Sequence, residues 1–138
     1  MDLNEISAQV IGAAIDVHKQ LGPGLLESVY QKCMDIELKE RGLRVGTEMS
    51  ICVNYKGHEI SDNAFRIDLI VEDAIVVELK SVEEIKPVHK KQLLTYLRLT
   101  GKQLGLLINF NEALLRDGII RIANNYSTIA QSAGVSPE

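Results

Sequence analysis

Tryptophan is absent from this chain of 138 residues, and aromatic side chains make up only 4% of it. Because hydrophobic residues still account for 46%, the core must be built mainly from Leu, Ile and Val. A chain of this length can bury a sizeable core, so we expect a single domain over residues 1–126. Residues 127–138 are mostly small and polar, and we expect a flexible tail there.

Long apolar runs are also lacking, since none approaches the roughly 20 residues needed to span a bilayer. Cysteine is scarce, and the spacing of Cys33 and Cys52 matches no metal-ligand pattern. No secretory leader is recognisable at the start of the sequence. We therefore expect a cytoplasmic protein with no membrane contact and with both thiols reduced.

An excess of positive charge is missing as well. The net charge is −4 and the isoelectric point is about 5.4, so the chain as a whole has no basic surface for nucleic acid. The local balance differs from the total, because residues 86–102 contain five Lys or Arg and no Asp or Glu.

Two short apolar strands joined by an acidic turn occupy residues 64–80. Alternation predicts that Ile67 and Leu69 share one face of the first strand, with Asp68 on the other. A three-residue loop, residues 72–74, would pair Val71 with Ile75 and place Asp68 directly across from Glu78 on one face. A two-residue loop would shift the parity and put the two carboxylates on opposite faces. We therefore predict a three-residue loop, or a bulge of equal effect.

Two adjacent carboxylates repel each other and raise a pKa unless a positive charge lies between them. A hard divalent cation such as Mg²⁺ suits a pair like Asp68 and Glu78, because it prefers oxygen ligands. Lys80 projects to the same side as Glu78, where it could orient or deprotonate a water or stabilise charge on a phosphate. The alternative interpretation is a surface hairpin with ordinary salt bridges on its solvent face.

Helical periodicity predicts a first helix over residues 3–20 and a second over residues 25–41. In the second, we expect the core stripe to be Leu26, Val29, Cys33 and Ile36. Glu27 lies in the first turn, beside that stripe and in line with Tyr30 and Met34. It could serve only the helix dipole, or it could reach a site over the neighbouring sheet.

The rest of the chain predicts a mixed α/β sheet with the order α-α-β-β-β-α-β and helices on its faces. Strands are expected over residues 43–55, from residue 58 with a turn or bulge at 62–63, and through the hairpin above. A helix from Pro87 to Thr100 then leads into a buried strand over residues 104–110, parallel to the strand that ends near residue 81. Residues 119–123 are predicted to form an edge strand.

The predicted third helix has three faces. Leu93, Leu94 and Leu97 should pack inward, whereas Lys91, Arg98 and Lys102 should be solvated. A polar stripe lies between them: His89, Gln92, Tyr96 and Thr100. The stripe is either plain amphipathic patterning, or Gln92 and Tyr96 contact a nucleic-acid backbone or tune the metal ligands.

Several motifs occurring in order resemble a known superfamily. Asp68 on one strand followed by Glu78-Leu79-Lys80 on the next resembles the PD-(D/E)XK nucleases, whose restriction-endonuclease-like core has this α/β arrangement. Ile67 replaces the loosely kept proline of the superfamily name. More narrowly, Gly24-Leu-Leu-Glu27-Ser-Val-Tyr30 is similar to the signature of the GxxExxY family, which is assigned to that superfamily. Segments 65–69, 77–80, 89–97 and 104–110 extend the likeness over residues 5–123.

The resemblance implies a role for each matching residue. Asp68, Glu78 and the main-chain carbonyl of Leu79 would bind Mg²⁺ or Mn²⁺. Glu27 would complete or support that metal site, and Lys80 would position the attacking water.

The resemblance also implies a substrate surface on the third helix. Gln92 and Tyr96 are similar to the Q-x-x-x-Y element of RecB-like exonucleases, which helps hold substrate near the metal. Lys91 and Arg98, in the basic segment, are candidates for the phosphate backbone or are ordinary solubilising charges.

Two functions follow as hypotheses. The first is a Mg²⁺- or Mn²⁺-dependent nuclease that hydrolyses phosphodiester bonds in DNA, with nucleic acid as its partner. The alternative is a non-catalytic module of the same fold that binds nucleic acid or a partner protein, which the small size and acidic charge favour. A homodimer or a protein partner is compatible with either.

Overall fold

The computed structural model describes residues 1–125, apart from the side chains of residues 61–65, as a five-stranded mixed sheet with helices on both faces. The helices are α1 (Leu3–Leu21), α2 (Glu27–Glu40) and α3 (Pro87–Thr100). The strands are β1 (Val45–Tyr55), β2 (His58–Val71), β3 (Ile75–Lys80), β4 (Leu104–Asn109) and β5 (Ile119–Ala123). The predicted order α-α-β-β-β-α-β is confirmed, and the tail expected at 127–138 lies outside the described residues.

The sheet has the strand order β1-β2-β3-β4-β5. β3 and β4 are parallel and joined by α3, whereas the remaining neighbours pair antiparallel. Every residue of β4 is buried, because helices cover both faces of the sheet there. The predicted crossover unit is confirmed, and it aligns the carboxyl ends of β3 and β4 at one edge.

Two hydrophobic clusters hold the layers together, one on each face of the sheet. α1 and α2 cover the first face, where they pack on Leu69, Val77 and Leu106 among others. α3 covers the second face, with Leu93 and Leu97 against a smaller set of strand residues. The core is aliphatic for the most part, as the composition predicts.

α2 packs with a different face from the one predicted. Its buried residues are Tyr30, Met34 and Leu38, whereas Ile36, in the expected core stripe, is 59% exposed. The helix carries apolar residues on two adjoining faces, and periodicity alone does not choose between them. The deciding contact is tertiary, because the Tyr30 ring stacks on Phe110 with centroids 4.3 Å apart.

The hairpin between β2 and β3 has the predicted three-residue loop, with Val71 paired to Ile75. Glu72 and Asp73 adopt φ values of 54° and 51° without being glycine, which is unfavourable for most side chains. Hydrogen bonds from Arg44 to the Glu72 carboxylate, at 2.7 and 3.2 Å, hold the turn. An ion pair of 2.9 Å between Lys102 and Asp73 ties it to the end of α3.

β2 is one continuous strand from His58 onward, and its register on β1 shifts partway along. The paired positions pass from Cys52–Ser61 to Ser50–Arg66, so four residues of β2 face a single residue of β1. The turn or bulge predicted at residues 62–63 is therefore an irregularity inside a strand.

α1 is the longest helix, with 19 residues and a single buried stripe. Nowhere in residues 1–125 is a helix both long and apolar enough to cross a membrane. Both cysteines are free, and the exposed Cys52 thiol hydrogen-bonds to the Glu59 carboxylate at 3.1 Å.

We predict that Met34→Ala destabilises the protein by about 2–5 kcal/mol, because it leaves a cavity in the core. Ile36→Ala, two residues along the same helix, should change stability by no more than about 0.5 kcal/mol, because Ile36 lies on the exposed face. Urea unfolding followed by circular dichroism measures both. A larger loss at Ile36 than at Met34 would contradict the observed packing of α2.

Candidate active site

Asp68 and Glu78 face each other where the β2–β3 ladder opens. The last regular pair is Leu69 with Val77, and the next step would pair Asp68 with Glu78. There the carboxylates replace main-chain partners. The Asp68 N–H donates to Oε1 of Glu78 at 3.1 Å, and the Leu79 N–H donates to Oδ2 of Asp68 at 2.8 Å. The predicted juxtaposition is confirmed.

The ladder on the other side of β2 is interrupted at the same place. The β1–β2 pairs run from Thr47–Leu69 to Met49–Ile67 and skip Asp68. Glu48, the β1 residue opposite Asp68, has a φ of 50°. Ile67 consequently packs in the α3 cluster, whereas strict alternation placed it with Leu69. That part of the strand prediction is wrong, because the regular pairing of β2 with both neighbouring strands is interrupted at Asp68.

Burial makes the carboxyl pair costly to ionise. Glu78 is only 6% exposed. Its burial and the neighbouring Asp68 charge raise its pKa from 4.5 to about 8, against the opposing effects of the Asp68 N–H and Lys80. Burial also raises the pKa of Asp68, although the Leu79 N–H and the Lys80 charge oppose the shift. Without a cation, Glu78 therefore keeps a proton at neutral pH.

Lys80 and Glu27 lie close to this pair. The Lys80 charge lowers the pKa of both carboxyls, and the Glu27 charge raises the pKa of Asp68. Oε2 of Glu27 accepts a hydrogen bond of 3.4 Å from the Ser81 N–H, at the end of β3. The structure thus brings together the four residues predicted to be catalytic, with Glu27 the most exposed of them.

The pair suits a hard divalent cation. Two carboxylates in contact, one of them buried and raised in pKa, form an oxygen donor set whose charge a cation would offset. No group of three His, Cys, Asp or Glu side chains within the described residues has the geometry to hold an ion. Asp68 and Glu78 therefore stay predicted metal ligands, as do Glu27 and the Leu79 carbonyl.

The residues of α3 that were predicted to contact substrate differ in their exposure to solvent. Lys91 and Gln92 are exposed, whereas Arg98 and Leu94 are half-buried. Arg98 is therefore less solvated than predicted, and Leu94 is less buried. Tyr96 is 3% exposed and lies in the core.

The assignment of Tyr96 to a polar stripe was wrong, because its ring fills the α3 cluster. Burial, together with the charges of Glu78 and Asp68, raises the pKa of the Tyr96 hydroxyl. Tyr96 therefore lies near the carboxylate pair. Its role in tuning the metal ligands stays a prediction.

The site also depends on an amide that sequence reasoning overlooked. Asn109, at the end of β4, is fully buried. Its Oδ1 accepts from the Val82 N–H at 3.1 Å and from the Asn111 N–H at 3.2 Å, and its Nδ2 donates to the Val82 carbonyl at 2.9 Å. It thereby fixes the chain leaving β3 against the chain leaving β4. The sequence does contain a feature that could have indicated Asn109, because it is a polar residue at the end of an otherwise apolar strand.

A family model described as the PD-(D/E)XK nuclease superfamily matches residues 4–122. The chain belongs to the PD-(D/E)XK nuclease superfamily. Membership supports a nuclease and confirms the predicted restriction-endonuclease-like fold class. The narrower likeness to the GxxExxY signature stays a prediction. No curated protein matches the chain significantly.

Solved structures resemble the chain loosely. The alkaline exonuclease LHK-Exo from Laribacter hongkongensis aligns with 20% identity and a TM-score of 0.47, over 72% of this chain and 57% of the exonuclease. LHK-Exo in complex with dAMP aligns with 20% identity and a TM-score of 0.46, over 95% and 87%. The protein SSO0001 aligns with 24% identity and a TM-score of 0.49, over 78% and 55%. The chain thus spans little more than half of two of these proteins, and likeness at this level carries no argument about chemistry.

We predict that the metal-free protein loses stability as the pH rises from 4.5 towards about 8, the window over which the Glu78 pKa is raised. Within it, native Glu78 keeps a proton that the unfolded chain releases, so rising pH favours unfolding. Asp68 adds to the loss, since its pKa is also raised.

Glu78→Gln should flatten this dependence relative to wild type, whereas Glu84→Gln, at an exposed position, should leave it unchanged. Urea unfolding in the presence of a chelator, repeated across the window, provides the measurement. A dependence in Glu78→Gln as steep as in wild type would contradict the buried acid pair.

Proposed function

We propose that the protein is a nuclease that uses Mg²⁺ or Mn²⁺ to hydrolyse phosphodiester bonds in DNA. The observation that carries the proposal is the contact between Asp68 and Glu78 at the opened ladder, with Lys80 beside it. Membership of a nuclease superfamily supports the same reading.

Each side chain of the site has a proposed role. Asp68 and Glu78 would hold the metal, whose charge would favour ionisation of the attacking water and would offset charge on the scissile phosphate. Lys80 orients the attacking water and stabilises negative charge on the phosphate oxygens. Glu27 approaches from α2 and supports the same centre. Tyr96 is proposed to tune these ligands, because burial and the charges of Glu78 and Asp68 raise the pKa of its hydroxyl.

The proposed path for the nucleic-acid backbone follows the start of α3. Lys86, Lys90 and Lys91 are exposed there, together with Gln92. The first turn of α3 contains no acidic residue, so the positive end of the helix dipole adds to the lysine charges. Arg98 supports this surface less, because it is half-buried.

We predict that Asp68→Asn reduces DNA cleavage below detection while the protein stays folded. The substitution removes one of the two metal-holding carboxylates but keeps the side-chain volume. Labelled single-stranded, linear duplex and covalently closed circular DNA are incubated with Mg²⁺, with Mn²⁺ or with EDTA, using wild type and variant purified in parallel. The circular substrate separates endonuclease from exonuclease action.

Undiminished cleavage by pure, folded Asp68→Asn would refute the proposal. Metal-independent binding of DNA, with no cleavage under any condition, would favour the alternative of a non-catalytic binding module.

We predict that Lys80→Ala slows cleavage on the order of 100-fold or more, since a positioned group of this kind contributes about that much to the rate. Metal binding should be nearly intact, because Lys80 is a cation and not a ligand. Lys56→Ala, in the exposed turn after β1, is the matched control and should cleave like wild type. Cleavage rates and calorimetric titration with Mn²⁺ are measured on all three proteins. Equal rates for Lys80→Ala and Lys56→Ala would exclude Lys80 from the reaction.

A further inference from the structure

The Tyr30 hydroxyl ties together the loop between α1 and α2. It donates to the Gly22 carbonyl at 2.5 Å and accepts from the Leu25 N–H at 3.2 Å. The contacts restrict a flexible segment, because Gly22 and Gly24, with φ values of 70° and 94°, lose more conformational freedom on ordering than other residues do. The Tyr30 ring is fully buried, so the hydroxyl is a fixed anchor for the loop.

Ser81 anchors the same loop from the sheet. Its hydroxyl donates to the Leu25 carbonyl at 2.6 Å, and its N–H donates to Oε2 of Glu27 at 3.4 Å. Ser81 directly follows Lys80, so these bonds join the start of α2 to the end of β3. Both groups of Leu25, the N–H and the carbonyl, are thereby held by side chains of other elements.

These two side chains fix the segment that precedes α2, a helix without a side-chain cap. The N-cap of α2 is Leu26, which makes no side-chain capping bond. A helix start without such a partner tends to fray, and Glu27 is the first residue of this helix. Tyr30 is one turn further along on the same face. The ends of the loop are therefore fixed by Tyr30 and Ser81.

Tyr30 also supports the strand that carries Lys80. Its ring stacks on Phe110, with centroids 4.3 Å apart and planes at 10°. The Phe110 N–H donates to the Lys80 carbonyl at 2.8 Å. The buried ring of α2 is thus linked to the end of β3 through Phe110.

We propose that Tyr30 and Ser81 are positioning residues that hold Glu27 beside Lys80 and the Asp68–Glu78 pair. The effect of this placement on cleavage rests on the function proposed above, whereas the placement itself does not. Neither side chain needs to touch substrate, because each acts through the loop that leads into Glu27.

The test replaces Tyr30 by Phe, which keeps the ring stacked on Phe110 and removes only the hydroxyl. Amide hydrogen exchange at Ser81, read by NMR on the full chain, should become about tenfold faster, as expected for the loss of one net hydrogen bond. The Ser81 N–H donates to Glu27, so its exchange rate reports that hydrogen bond. Glu27→Gln should perturb the same amide, and Tyr55→Phe, at an exposed tyrosine of β1, should not.

Cleavage kinetics then test whether the position of Glu27 affects the rate of the reaction. Tyr30→Phe and Ser81→Ala should lower kcat more than they raise KM, and Ser81→Thr, which keeps the hydroxyl, should restore the rate. In a Glu27→Gln background, Tyr30→Phe should have no further effect, because both substitutions act through one carboxylate.

The outcomes separate the two proposals. Unchanged exchange at Ser81 in Tyr30→Phe, or fully additive effects of Tyr30→Phe and Glu27→Gln on kcat, would overturn the positioning role. Faster exchange at Ser81 in a protein whose wild type cleaves no DNA would uphold the positioning of Glu27 and reject the nuclease function instead.

Discussion

The structure depends on one local exchange of hydrogen-bond partners. At Asp68 and Glu78, the carboxylates accept N–H groups that a regular antiparallel ladder would use. The exchange satisfies the backbone while forcing two acids together beside a buried sheet. Burial raises the pKa of both acids, and the Asp68 charge raises that of Glu78 further. The neighbouring Lys80 charge lowers both pKa values but does not cancel the effect of burial.

The helices on the two faces of the sheet bring further side chains close to the carboxylate pair. α3 buries Tyr96 near the pair on one face of the sheet, and α2 brings Glu27 to the end of β3 on the other. The parallel arrangement of β3 and β4 places Lys80 next to Asn109 in register. Asn109 then fixes the outgoing chains, so that the open edge of the sheet is rigid where the polar side chains gather.

Individual residues show how far sequence reasoning reaches. Alternation and loop length predicted that Asp68 faces Glu78, because a two-residue period and a short hairpin leave few registers. Helical periodicity predicted the extent of α3 but misplaced Tyr96, since an amphipathic ring suits either a polar stripe or a core. The core face of α2 was predicted wrongly, because two apolar faces competed and only the stack of Tyr30 on Phe110 decided between them.

The sequence by itself determined the order of the elements, the hairpin register, the crossover between β3 and β4, and the membership of Asp68, Glu78 and Lys80 in one site. These features follow from local periodicity, turn length and motifs, which short stretches of chain encode. Tertiary structure alone decided which face of α2 is buried, how Ser81 and Tyr30 hold the loop before Glu27, and how strongly Glu78 resists ionisation. Those properties depend on contacts between residues far apart in the chain and on the solvent that such contacts exclude.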